Sequence, residues 1–144
     1  MARANVDGST RRIPVVSYLE LDPVRLVPWE CLACEARYFD RRNACARCGM
    51  TQFRRVEIDS VGTVTSFTIV HVGDGSAALP FVSALVDCGG TTVRANIVGA
   101  DPSPDSIRVG MPVRLTTWSL GLDENGIDAI AYGFEPDTES EATP

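Results

Sequence analysis

Four cysteines set the tightest limit on what this chain can fold into. Cys31, Cys34, Cys45 and Cys48 form two C-x2-C pairs separated by ten residues. Two residues between cysteines let both sulfurs of a tight turn face one ion, and two such turns on a hairpin complete a tetrahedral thiolate site that suits zinc. Gly49 follows the second pair directly, where glycine tolerates a positive φ and frees its backbone N–H to bond a sulfur. Glu35 stands at the matching place after the first pair. The same spacing permits two disulfides or four unconnected thiols, and iron fits the same four sulfurs. In a reducing compartment a metal is favoured. Four cysteine ligands leave no open coordination position, so one zinc per chain is expected, in a structural role. It can supply on the order of 10–16 kcal/mol to a hairpin too small to fold alone.

Charge divides the chain. Six arginines stand against three acidic residues over 29–55, whereas three arginines stand against thirteen acidic residues over 56–144. All thirteen basic residues are arginine, so Schiff-base and phosphate-loop lysines are excluded. The acidic second half argues against broad phosphate binding there. Arg37, Arg41, Arg42 and Arg47, with Arg54 and Arg55, decorate the cysteine segment. They read either as a solvated face that offsets thiolate charge or as a surface for a partner or for the phosphates of a nucleotide-bearing cofactor.

No catalytic set emerges. His71 is the single histidine, which disfavours multi-histidine metal centres. It ends a long apolar run and is expected to anchor a loop or meet a partner. Cys88 reads as a small buried hydrophobe rather than a nucleophile. The small-residue loop at 72–79 lacks the lysine of a phosphate loop. Trp29, Tyr38, Phe39 and Phe53 gather around the cysteines and are expected to pack there rather than to stack on bases.

The rest reads as strands. Val24 to Glu30 leads into the first cysteine pair and Phe53 to Ile58 leads out of the second. Val61 to Val72, Phe81 to Cys88, Thr91 to Val98, Val113 to Trp118 and Ile127 to Glu135 are rich in residues that favour extended backbone. Gly89-Gly90 marks a tight turn between two of them. Ser17 to Leu21 could open a short helix, and Pro104 to Ile107 could form one turn. Five long strands suit a small Greek-key barrel such as the OB-fold, with a sandwich as the alternative. The first dozen residues and Pro136 to Pro144 read as flexible tails. The longest stretch without Asp, Glu or Arg, Ser60 to Gly73, is too short to span a bilayer, and the polar N-terminus suits a cytoplasmic protein.

The order of these pieces resembles a known family. An apolar strand and the cysteine turns are followed by Val61-Gly62-Thr63-Val64-Thr65-Ser66-Phe67-Thr68, by Pro80 to Val86, by Val109-Gly110-Met111-Pro112-Val113 and by Tyr132-Gly133-Phe134. Together they resemble the acyl-CoA-associated zinc-ribbon and OB-fold family, domain of unknown function family thirty-five, over about residues 20–135. The resemblance implies an all-β chain, a rubredoxin-like zinc ribbon followed by a five-stranded OB-fold barrel. It divides the chain into a tail with a short helical segment at 1–22, the ribbon at 23–56, the barrel at 57–135 and an acidic tail at 136–144. It carries the zinc ligands to Cys31, Cys34, Cys45 and Cys48, and carries no catalytic residue. It implies an accessory subunit in a hetero-oligomer with a thiolase-fold or hydratase enzyme, touching an acyl-CoA or acyl-carrier substrate at the interface. Arg37, Arg41, Arg42, Arg47 and His71 are then the candidates for meeting the partner or the cofactor phosphates. The alternative is a single-stranded nucleic-acid module, disfavoured by the acidic barrel half.

Overall fold

The computed structural model describes residues 11–75 and 78–138. Eleven strands are present: β1 (Arg11–Pro14), β2 (Leu19–Leu21), β3 (Val24–Leu26), β4 (Trp29–Cys31), β5 (Arg37–Tyr38), β6 (Phe53–Arg55), β7 (Val61–Val70), β8 (Phe81–Cys88), β9 (Thr91–Ile97), β10 (Pro112–Leu122) and β11 (Ile127–Pro136). No helical element occurs among the described residues, and none of their segments is a helix long and apolar enough to cross a membrane. The chain is all-β, as expected from its strand-rich sequence.

Contacts divide the chain into two compact units. One takes residues up to 58 together with 117–132; the other takes 59–116 and the residues from 133 onward. Neither unit is continuous in sequence, because the long β10 and β11 strands contribute to both.

The second unit contains the β7–β8 and β8–β9 ladders of the barrel. Strands pair in the order β11-β10-β7-β8-β9, and β9 meets β11 where Ile97 lies beside Phe134, which closes the ring. This is the five-stranded OB-fold arrangement, not a sandwich. Alternation puts Val82, Ala84, Val86 and Cys88 of β8 inward, facing Val93 and Ile97 of β9 and the fully buried Phe134. A register shift between Val64 and Ser66 breaks the alternation of β7 and moves its half-buried positions to Phe67 and Ile69. Gly62 is required by packing: a Cβ there would stand 2.6 Å from the Asp87 carbonyl oxygen and 2.7 Å from Val86 Cγ1. Pro104 to Ile107 make a single turn closed by the Ile107 N–H on the Ser103 carbonyl, which seats Ile107 in the core.

The first unit is built from short ladders. β2 and β3 form a hairpin, and β4 lies between β5 and β6 in a three-stranded ribbon. β1 runs parallel to β11, with Arg11 beside Ile127 and Pro14 beside Ile130.

Three expectations are corrected. Ser17 to Leu21 is not helical: Ser17 and Tyr18 lie in a turn, and Leu19–Leu21 pairs with Val24–Leu26. A five-residue helix would close too few hydrogen bonds to offset its nucleation cost, while the hairpin buries Leu19 and Leu26. The N-terminal tail ends sooner than expected, because Arg11 and Arg12 gain backbone partners from β11; residues 1–10 lie outside the described residues. The C-terminal tail starts later, because Pro136 completes β11 and the buried Asp137 donates its N–H to the Pro112 carbonyl; residues 139–144 lie outside the described residues.

Candidate metal centre

The two cysteine turns are copies of one another. Cys31 donates its N–H to Ala36 at 2.8 Å, and Cys45 donates to Met50 at 2.8 Å. Within each turn the residue four places on returns an N–H to the first cysteine's carbonyl, Glu35 to Cys31 at 3.0 Å and Gly49 to Cys45 at 2.8 Å. That residue has a left-handed backbone in both, φ +66° at Glu35 and +79° at Gly49. The glycine missing from the first turn therefore leaves the geometry intact, with a glutamate held where glycine fits best.

These turns bring the four sulfurs within 4.8 Å of one another. Cys31 and Cys48 sulfurs stand 3.6 Å apart, as do those of Cys34 and Cys45. Four thiolates around one zinc, at about 2.3 Å from the ion, form a tetrahedron with edges of about 3.8 Å. The donor set and its spacing thus fit a tetrahedral metal ion. No disulfide joins any of the five cysteines.

The four thiols do not share one electrostatic environment. The Tyr38 hydroxyl, with the N–H groups of Cys48 and Arg47, holds the Cys45 thiol down to about 6 against the opposing effect of burial. The N–H of Cys34, with that of Ala33, holds Cys31 below the ordinary thiol range. The Met50 N–H pulls Cys48 down, but partial desolvation of its sulfur against the cluster and the neighbouring Cys31, Cys34 and Cys45 thiols carry it up to about 12. Cys31 and Cys45 thus lose their protons more readily than Cys48, whose ionisation a nearby cation would favour.

Beside the cluster, the ribbon register commits several arginines. Glu30 on central strand β4 faces Arg37 on β5 and Arg54 on β6. Its carboxylate accepts Arg37 Nε at 2.8 Å and Arg54 Nε at 3.0 Å. Only 2% of this side chain is exposed, and Arg54 first, then Arg37, holds its carboxyl below the usual range. Arg55 lies over the Trp29 ring at 5.1 Å and donates to the Val27 carbonyl. Arg41 and Arg42 remain at the rim of a cleft of about 280 Å³ whose other walls are Trp29, Asn43, Thr51, Gln52 and Phe53. Arg42 also stacks on the Tyr38 ring at 4.7 Å. Arg47 is exposed, and its backbone N–H points to Cys45 Sγ at 3.4 Å.

His71 does not join this group. It lies exposed just past β7. Nor does it meet Cys88: Val70 pairs with Phe81 at one end of the β7–β8 ladder, and Cys88 closes the other. Seven residue steps along the strand separate Phe81 from Cys88, which is about 23 Å. Cys88 is buried, and desolvation, with Asp87 and Asp59 nearby, pushes its thiol up to about 11.

A family model described as the C-terminal OB-fold domain of ChsH2 matches residues 55–117. The solved structure titled Ltp2-ChsH2(DUF35) aldolase contains a chain 32% identical to this one, with a TM-score of 0.61, covering 78% of this chain and 84% of that chain. The chain belongs to the DUF35 family. Another relative is the benzoylsuccinyl-CoA thiolase subunit BbsA of Geobacter metallireducens, 26% identical over 108 residues, which are 74% of this chain and 71% of that protein. A DUF35-family protein of unknown function from Sulfolobus solfataricus is 20% identical with a TM-score of 0.45, covering 74% of this chain and 75% of that one. In this DUF35 chain the matched OB-fold segment runs from β6 to the middle of β10.

Two features of the site were not legible from motif spacing. The buried charge of Glu30 depends on which strands flank β4, and the approach of Tyr38 to Cys45 depends on how the hairpin folds back. The alternation Trp29-Glu30-Cys31 against Arg37-Tyr38 carries part of the signal, since an acid opposite an arginine in neighbouring strands invites a pair.

Proposed function

We propose that this chain is a non-catalytic accessory subunit of an acyl-CoA-processing enzyme complex, bound to a thiolase-fold partner. The observation that carries this is its 32% identity to the DUF35 chain of an aldolase complex, over 84% of that chain's length. The thiolase subunit BbsA supports the same class of partner. The four-cysteine cluster holds one zinc ion in a closed, structural site, at Cys31, Cys34, Cys45 and Cys48. The ion fixes the two turns; the residues between and beside them form the ribbon surface.

The separation of His71 from Cys88 supports a subunit without its own nucleophile and base. Arg41 and Arg42 flank a cleft with two aromatic walls and hold no carboxylate among the described residues. They are free to meet an anion on the partner or the phosphates of its acyl-CoA, and there the subunit helps shape the acyl channel. Arg37 is engaged with Glu30 and supports the ribbon from within, while Arg47 and His71 are exposed contacts for the partner.

Affinity purification of the tagged chain from its own cells tests the proposal, with co-purifying proteins identified by mass spectrometry. A thiolase-fold protein in near-stoichiometric amount is expected. A hydratase in its place would change the reaction class, and nucleic acid without an enzyme would overturn the proposal. With the complex in hand, Arg41→Glu together with Arg42→Glu should weaken assembly or raise the KM for the acyl-CoA. Unchanged values for both would remove these arginines from the interface.

A further inference from the structure

Tyr38 touches the cysteine cluster through its hydroxyl, and four neighbours fix that contact. Its oxygen lies 3.4 Å from Cys45 Sγ. The same oxygen accepts the Ala46 N–H at 3.1 Å. A phenol has one proton to donate, and with Ala46 approaching its lone pair that proton is directed to the sulfur. The ring cannot swing away easily. Arg42 covers one face at 4.7 Å, Phe53 stands edge-on at 6.2 Å, and the backbone is paired with Trp29. Cys45 is buried and receives the Arg47 N–H at 3.4 Å, whereas Cys48 is exposed.

We propose that Tyr38 is a positioning residue for the metal centre: its hydroxyl donates to the Cys45 thiolate, disperses the negative charge of that ligand and fixes the sulfur's orientation. This rests on the metal reading of the four cysteines. The two turns match in backbone, but the first has no tyrosine at the corresponding distance. Phe53 pairs with Cys31 at that side and offers only a hydrocarbon ring. The centre is therefore asymmetric, with one turn anchored by a side-chain donor and the other by backbone N–H groups.

The test uses the full chain loaded with Co(II) in place of zinc, because zinc has a filled d shell and gives no ligand-field signal. Tyr38→Phe keeps the ring and removes the donor. Without it the Cys45 sulfur is more electron-rich, so the sulfur-to-cobalt charge-transfer band should move to lower energy. Affinity for zinc in competition with a chelator should fall about 10–100-fold, as for other partners of metal ligands. A merely structural tyrosine would not shift the band. Replacing the tyrosines with 3-fluorotyrosine supplies a more acidic phenol and should move the band the opposite way; it serves as the readout if Tyr38→Phe fails to fold. An unmoved band and a zinc affinity within twofold of wild type overturn the inference while leaving the metal site standing. A wild-type chain that takes up no cobalt at its four thiols overturns the metal reading, and the inference with it.

Discussion

Replacing Glu35 with glycine should make the ribbon more stable. Glu35 has φ +66°, in the region where an L-residue brings its Cβ against the backbone, at a cost of roughly 1–2 kcal/mol. Its side chain is exposed and has no hydrogen bond or ion pair among the described residues, so substitution forfeits no contact. Glycine removes the strain but gives the unfolded chain more freedom, which returns about 0.5–1 kcal/mol. The balance is about 0.5–1 kcal/mol in favour of Glu35→Gly, or roughly 2–4 °C in Tm per kcal/mol for a chain of this size. The second turn supplies the converse. At Gly49, φ is +79° and nothing lies within 4 Å of an added Cβ, so Gly49→Ala meets the backbone penalty alone and should lose about as much. Urea unfolding of the metal-loaded protein, followed by tryptophan fluorescence, measures both. Glu35 also carries a negative charge near the thiolates, so Glu35→Gln separates the effects by removing charge and keeping φ. A Glu35→Gly variant no more stable than Glu35→Gln, beside a destabilised Gly49→Ala, would refute the equivalence of the two turns.

Gly62→Ala should cost about 2–3 kcal/mol and broaden the barrel's unfolding, because the added Cβ meets the Asp87 carbonyl, a backbone atom that cannot turn aside. Glu30→Gln should destabilise the ribbon by about 1–3 kcal/mol at neutral pH by removing the charge between Arg37 and Arg54. The Glu30 carboxyl titrates below its usual 4.5, so its contribution is present above that pH and lost in acid. The gap between wild type and Glu30→Gln, measured by denaturant unfolding, should therefore close as pH falls below about 4.5. At the alkaline end, Cys88 binds its proton more tightly when folded, so wild-type stability should fall relative to Cys88→Ala between its ordinary value of 9.0 and about 11. Parallel stability curves across that range would show that the thiol is not buried in solution.

Local pattern alone determined the cysteine cluster, most strands and the β8–β9 turn. Two C-x2-C pairs at this spacing suit convergence on one ion, and each turn closes through bonds no more than five residues apart. β8 was legible to the residue because its inward positions alternate without interruption and Gly89-Gly90 ends it. Tertiary structure decided what local pattern leaves open. β1 became a strand because β11, more than a hundred residues away, offers its edge, and the apparent helix at Ser17 became a turn because Val24–Leu26 was available to pair. The six ribbon arginines look alike in sequence. Register alone placed Arg37 and Arg54 on a buried carboxylate and Arg55 on a tryptophan, and left Arg41 and Arg42 at an open cleft. Long-range pairing and register depend on which backbone edges meet, and a residue's own neighbours in the chain do not encode that.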